Sequence, residues 1–392
     1  MNRVPKLRFK EFNGDWEKLN AEEIFKNISN KNHNGDLPIL AVTQDKGVVY
    51  RDSLDLKINS SETGIKNYKI IEPGDFVISL RSFQGGIEYS SILGISSPAY
   101  TVLKPKIEIS DFFYKVYLKK ESFISELNST IEGIRDGKQI SYAMFSKLKL
   151  PYTKVEEQQK IADFLSSVDK KISIAKEKLD LFKDYKKGIM QKIFNQELRF
   201  KDSNGNNYPE WEEKRLGDVF SFKQGYQIPF KEQIKTKEKG YVRYLYISDF
   251  FSDKNLLYVK DDGKEKITET DITVANTGNT AGSFYRGKSG ILSNNMFNIQ
   301  NDEKVVTNDF LFQFLGTSLY SNQLKTFFNS SGQPHLGHKN MSMIIINYPV
   351  SFEEQQKIVD FLSSIDNKID NLTSELEDLK EFKKGLLQQM FV

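Results

Sequence analysis

One stretch limits what this chain can become, because it occurs twice. EEQQKIADFLSSVDKKISIAKEKLDLFKDYKKGIMQKIF, Glu156 to Phe194, returns without a gap as EEQQKIVDFLSSIDNKIDNLTSELEDLKEFKKGLLQQMF, Glu353 to Phe391. Apolar residues recur at alternating steps of four and three in both copies. The first copy carries Ile161, Leu165, Val168, Ile172, Ala175, Leu179 and Phe182, then Ile189 and Ile193. The second carries Ile358, Leu362, Ile365, Ile369, Leu372, Leu376 and Leu379, then Leu386 and Met390. Such steps average 3.5 residues, the period of a left-handed coiled coil. The skipped position is a lysine in both, Lys186 and Lys383. A defect shared by two copies is the mark of duplication.

A lone amphipathic helix cannot bury its stripe, so each copy needs a partner, and the other copy is the nearest. Packing between the two helices is expected from Ile161, Leu165, Val168, Ile172 and Leu179 against Ile358, Leu362, Ile365, Ile369 and Leu376. At about 1.5 Å per residue such a helix spans roughly 60 Å.

The duplication extends along the whole chain. LRFK at Leu7 to Lys10 recurs at Leu198 to Lys201, and the only two tryptophans, Trp16 and Trp211, follow at the same place in each half. Segments rich in β-branched and aromatic residues come next, Pro38 to Tyr50 and Tyr241 to Phe250. Glu72 to Leu103 then lines up with Glu269 to Ile299, so that Asp75, Gly85, Gly94 and Ser97 match Asp271, Gly282, Gly290 and Ser293. A short amphipathic helix is expected in each half, SDFFYKVYL from Ser110 and NDFLFQFLG from Asn308. A second glycine-bearing loop follows, Glu132 to Tyr142 and Ser330 to Asn340. Pro151 and Pro349 punctuate the entry to each long helix. The expected organisation is α+β: globular units at 1–152 and 197–350, long helices at 153–196 and 351–392, and an internal twofold pseudo-symmetry.

Composition narrows the chemistry. The chain has 392 residues, and its formal net charge of +3 means that any nucleic-acid surface must be local rather than global. With no cysteine there are no disulfides, thiolate metal sites or cysteine nucleophiles, which fits a reducing cytoplasm. No export signal follows the basic start, and no apolar run is long enough to span a membrane.

Two diverged globular regions, each followed by a near-identical helix opening on EEQQKI and DFLSS, resemble the specificity (S) subunit of type I restriction-modification systems. The resemblance covers the full length. It implies that the globular units are target-recognition domains, each reading one half of a split site in double-stranded DNA. It implies that the helices pack antiparallel, fix the spacing between half-sites and bind two methyltransferase subunits, with restriction subunits joining in the full complex. Methyl transfer to adenine N6 from S-adenosylmethionine would lie in the methyltransferase subunits. ATP and Mg²⁺ would belong to the restriction subunit, and this chain would bind no cofactor.

Base edges are read by Arg or Lys on guanine and by Asn or Gln on adenine, while Lys, Arg and backbone N–H groups hold phosphates. The glycine-bearing loops are the richest source of such groups. The first half offers Arg81, Ser82 and Gln84, then Arg135, Lys138, Gln139 and Tyr142. The second offers Asn276, Asn279, Arg286 and Lys288, then Gln333, His335, His338 and Lys339. Gln139 and Gln333 fall in corresponding loops and form the first pair to test. Lys183, Lys186, Lys187, Lys380, Lys383 and Lys384 make basic patches late in both helices, by default a solvated face.

Catalytic signatures are missing. No Pro-Pro occurs, so the Asn/Asp-Pro-Pro-Tyr/Phe motif of amino-methylating enzymes is absent. GSFYRGKS, Gly282 to Ser289, spells GxxxxGK[ST], but turn and strand are expected after it where a phosphate-binding loop needs a helix. His335 and His338 form H-x-x-H without a third ligand in their loop, so no metal site is expected. The competing reading is a coiled-coil scaffold whose globular ends bind proteins. A related restriction system with fused activities elsewhere is a third. Steep salt dependence of DNA binding separates the first reading from the second.

Overall fold

A computed structural model of the chain describes residues 4–44, 46–54, 62–80, 82–129, 140–328 and 334–392. It divides into two compact units, Met1–Glu177 with Ser374–Val392, and Lys178–Thr373. The repeated stretches form single helices, Val155–Phe194 and Phe352–Gln389. Acidic pairs, Glu156–Glu157 and Glu353–Glu354, open them, where the helix dipole favours negative charge. The first helix stops without glycine. Gln196 takes a left-handed φ of 61°, its N–H bonds the Ile193 carbonyl, and the Glu197 N–H bonds that of Lys192. That pattern is a Schellman cap.

Within the first unit, the N-terminal part of the first helix packs with the C-terminal part of the second. Ile161, Leu165 and Val168 share one core with Leu386, Met390 and Phe391. In the second unit the roles reverse, and Ile358, Leu362 and Ile365 join Met190, Ile193 and Phe194. The heptad stripe calls for such pairing, and its antiparallel sense is the one that the family resemblance implies. Leu179 and Leu376 are buried, and Ile172 and Ile369 half-buried. The skipped lysines have a use. Lys383 pairs with Asp169 in the first unit and Lys186 with Asp366 in the second, each at 2.5 Å.

Each unit also contains a four-stranded antiparallel sheet of the same order. In the first the strands run Phe25–Ile28, Thr101–Pro105, Phe76–Ile78, Glu88–Tyr89. In the second they run Ser221–Gln224, Met296–Gln300, Ile272–Ala275, Phe284–Tyr285. A two-stranded ribbon leads into each long helix, Glu17–Asn20 with Lys149–Tyr152 and Glu212–Arg215 with Ile345–Tyr348. Glycine is required at one matched point. A Cβ on Gly94 would lie 2.4 Å from the Pro38 carbonyl oxygen, and one on Gly290 2.5 Å from that of Arg243.

The EEQQ motif is the joint between helix and unit. Buried Glu157 receives Arg8 at 2.7 Å, and buried Glu354 receives Arg199 at 3.0 Å, which gives the arginine of each LRFK its role. Burial alone would raise the Glu157 pKa, but hydrogen bonds from Arg8 and Thr153 outweigh it and hold the carboxyl below its usual range. Gln158 accepts the Ser110 amide and donates to the Thr153 carbonyl, while Gln355 accepts the Thr307 amide and donates to the carbonyls of Val305 and Pro349. The second glutamines, Gln159 and Gln356, donate to Asp163 and Asp360 one turn on. These contacts correct the expected alignment by one residue, because Ser110 matches Thr307 rather than Asn308. The shift puts Phe113 and Phe310 in equivalent places beside the tryptophans, with ring centroids at 5.7 Å and 6.0 Å. Phe391 and Phe194, the matched ends of the repeat, close the same aromatic clusters.

Candidate nucleic-acid interface

In the second unit the two glycine-bearing loops meet. Thr277 forms an antiparallel bridge with His335, the Gly278 N–H donates to the Pro334 carbonyl, and the Leu336 N–H donates to that of Asn276. Asn276 is the hub. It is buried, its backbone N–H bonds the Asn295 carbonyl, and its side-chain amide donates to the Asn294 carbonyl at 3.3 Å. Around it Asn279, Asn294, Asn295, His335 and Lys339 are exposed. Asn294 and Asn295 escaped the sequence reading, although a Ser-Asn-Asn turn between two strands was a visible signal.

Several candidates have partners within the unit. Arg286 is ion-paired with Asp309 at 2.5 Å and lies over the Phe312 ring at 3.9 Å. Lys288 pairs with Asp253, which Arg243 also holds. His338 packs its ring on Phe297 and Phe222, and burial lowers its pKa, which favours the neutral ring. The GSFYRGKS stretch is a strand, Phe284–Tyr285, and a turn through left-handed Gly287, and a strand, Ile291–Leu292, follows it. No helix follows to receive a phosphate.

In the first unit Ser82 is buried, and its hydroxyl accepts the Ser79 amide at 2.8 Å, so it closes a turn. The Tyr142 hydroxyl likewise donates to the Phe25 carbonyl at 2.9 Å, fixing one loop end to the sheet. Gln84 is exposed and its side-chain carbonyl accepts from Gln44 at 3.0 Å. Gln44 sits where the Leu40–Thr43 strand turns toward Gly47–Tyr50, and Lys119 braces its carbonyl from below while gripping Glu88. Sequence reading missed Gln44, and nothing in its Gln-Asp-Lys-Gly context distinguishes it from an ordinary turn residue. Arg81, Arg135, Lys138, Gln139 and Gln333 lie outside the described residues.

The tryptophans form no stacking platform. Trp16 is buried and Trp211 half-buried, each inside its aromatic cluster. Among the late-helix lysines, Lys384 reaches Glu121 at 3.4 Å, while Lys183 and Lys187 are exposed.

Comparison with known proteins bears on the whole chain. It is 34% identical over 208 residues to the type I restriction enzyme MjaVIII specificity subunit of Methanocaldococcus jannaschii, covering 52% of this chain and 47% of that one. The chain thus spans about half the length of the curated relatives it matches. A crystal structure of a type I restriction-modification system S subunit from M. genitalium shares the fold, with a TM-score of 0.60 at 17% identity over 99% of both chains. A chain from a structure concerned with complex assembly and conformational transition of the type I R-M system has a TM-score of 0.58 at 14% identity, over 98% of this chain and 99% of that one. The family model for the type I restriction modification DNA specificity domain matches residues 13–182 and again 208–381. With both halves matched, the chain belongs to the type I restriction-modification DNA specificity domain family.

Proposed function

We propose that this chain is the DNA-recognition subunit of a type I restriction-modification enzyme and performs no catalysis itself. Each unit reads one half of a bipartite target, and the helices carry two methyltransferase subunits, with restriction subunits joining in the complete cytoplasmic enzyme. S-adenosylmethionine, ATP and Mg²⁺ act on those partners. One observation carries the reading: the same sheet and the same helix joint are built twice, while the loops at their rims differ in sequence and in what they expose. Readers of unlike half-sites need such a division, with a fixed frame and variable edges. Gln84 and Gln44 in the first unit, and Asn279, Asn294, Asn295, His335 and Lys339 in the second, are the groups offered to bases and phosphates. Arg81, Arg135, Lys138, Gln139 and Gln333 belong to the same loops. Docking groups for the methyltransferase lie on the helices, where Ile174 and Phe382 of the first unit and Leu181 and Tyr185 of the second are exposed.

The test is to assemble the chain with its methyltransferase subunits and map the adenines methylated in random DNA. Two short, different half-sites separated by a constant number of unread bases are expected. One continuous motif, or methylation without a motif, sinks the proposal.

A further inference from the structure

The units differ in length between their second and third strands. The Pro38 and Arg243 carbonyls stand at the same place, each against a glycine that can carry no side chain. Before that point the first unit uses only Ser29 to Leu37, whereas the second runs from Gly225 to Val242. The longer segment contains PFKEQIKTKEKG, Pro229 to Gly240, which opens on a single 3₁₀ turn, Phe230–Glu232. Phe230 is 83% exposed. Lys231, Lys235, Lys237 and Lys239 are all exposed, and none forms an ion pair among the described residues.

Neighbouring carboxylates are already engaged. Asp249 and Asp253 are held by Arg243 and Lys288, Asp261 by Lys266 and Asp262 by Lys264. Glu232, Glu238 and Glu269 are left to face these four lysines and Lys254, still an excess of positive charge. Lys235 and Lys254 flank a cleft of about 620 Å³ beside Phe230, and Lys237 opens onto a second of about 470 Å³.

We infer that the Phe230–Lys239 loop is a phosphate-gripping arm that holds the DNA duplex beside the half-site read by the second unit; the inference rests on the DNA-recognition reading above. Lysine is depleted from the cores of protein–protein interfaces, whereas phosphates recruit it. Exposed, unpaired ammonium groups suit a sequence-independent grip, and an exposed phenyl ring among them suits a sugar or a thymine methyl. The first unit lacks the arm, so the grip is one-sided.

The experiment compares the assembled methyltransferase complex carrying wild-type chain with one carrying K231Q/K235Q/K237Q/K239Q, and a second carrying F230A. Affinity for the methylated target is measured across a range of salt. Each lost phosphate contact should flatten the slope of log affinity against log salt by about 0.9, so a reduction of roughly 2–4 is expected for the quadruple variant. The methylated sequence should stay the same. F230A should weaken binding while leaving the slope intact. An unchanged slope and affinity in the quadruple variant overturns the arm while leaving the recognition reading standing. Reduced capture of methyltransferase subunits with an unchanged slope also overturns it, in favour of a protein contact. A wild-type complex that binds no duplex overturns both.

Discussion

Arg8 with Glu157 and Arg199 with Glu354 are the same buried ion pair made twice, whereas the loops around Gln84 and Asn279 have little in common. The difference is one of physical freedom. A buried carboxylate without its guanidinium is too costly to survive, and a buried glutamine must find donors and acceptors for its amide. Exposed rim residues answer to no such demand, so they can diverge to suit different ligands.

The comparison breaks first if the two pairs are unequal. Arg8→Ala and Arg199→Ala each leave a glutamate buried without its cation, at 1% and 0% exposure. Removing one partner of such a pair costs about 3–5 kcal/mol. Denaturant titration should show both variants destabilised to that extent. A neutral result for one alone would mean that its half is held by something other than the joint.

The joint was largely legible in the sequence, and its purpose was not. The heptad stripe, the paired tryptophans and the LRFK repeat identified what the halves share, because burial imposes periodicity and preserves large side chains. That Glu157 faces Arg8 could not be read, since the two are brought together only by the fold. The loops were located by their glycines, but the partners that Ser82, Tyr142, Asn276, Arg286 and Lys288 find within the unit were not legible. Residue type names a capacity for hydrogen bonding, and geometry decides who receives it.

A second asymmetry sharpens the comparison. Asp75 and Asp271 open matched strands and accept the amides of Glu72 and Thr268, but Asp75 is buried and Asp271 half-buried. Burial pushes the Asp75 pKa up to about 6, with the Glu72 amide and Lys104 opposing and the Glu72 and Asp111 carboxylates adding to the rise. A folded state that holds its proton more tightly than the unfolded chain loses stability as pH rises. The loss runs between about pH 4 and pH 6 and amounts to at most about 3 kcal/mol. Asp75→Asn keeps the acceptor for Glu72 and should flatten the stability profile in that window. An unaltered profile would remove Asp75 as its source.

The smallest effects are expected at the skipped heptad positions. Leucine at 186 or 383 would complete the apolar stripe, a gain of about 1 kcal/mol from burial. It would also release Asp366, 37% exposed, or Asp169, 46% exposed, and carboxylates so open to water lose little when unpaired. Their surroundings differ in one respect. Asp366 also faces the Gln313 amide at 3.5 Å, while the residue matching Gln313 in the first unit is Val116, which has no donor to offer Asp169. Lys186→Leu should therefore be the more stable of the two variants, by a few tenths of a kcal/mol in urea midpoints. Adding Gln313→Val to Lys186→Leu should erase the gap. If the order is reversed, or the gap survives that change, the two pairs are not interchangeable parts of a repeated helix, and the equivalence of the halves ends at their joints.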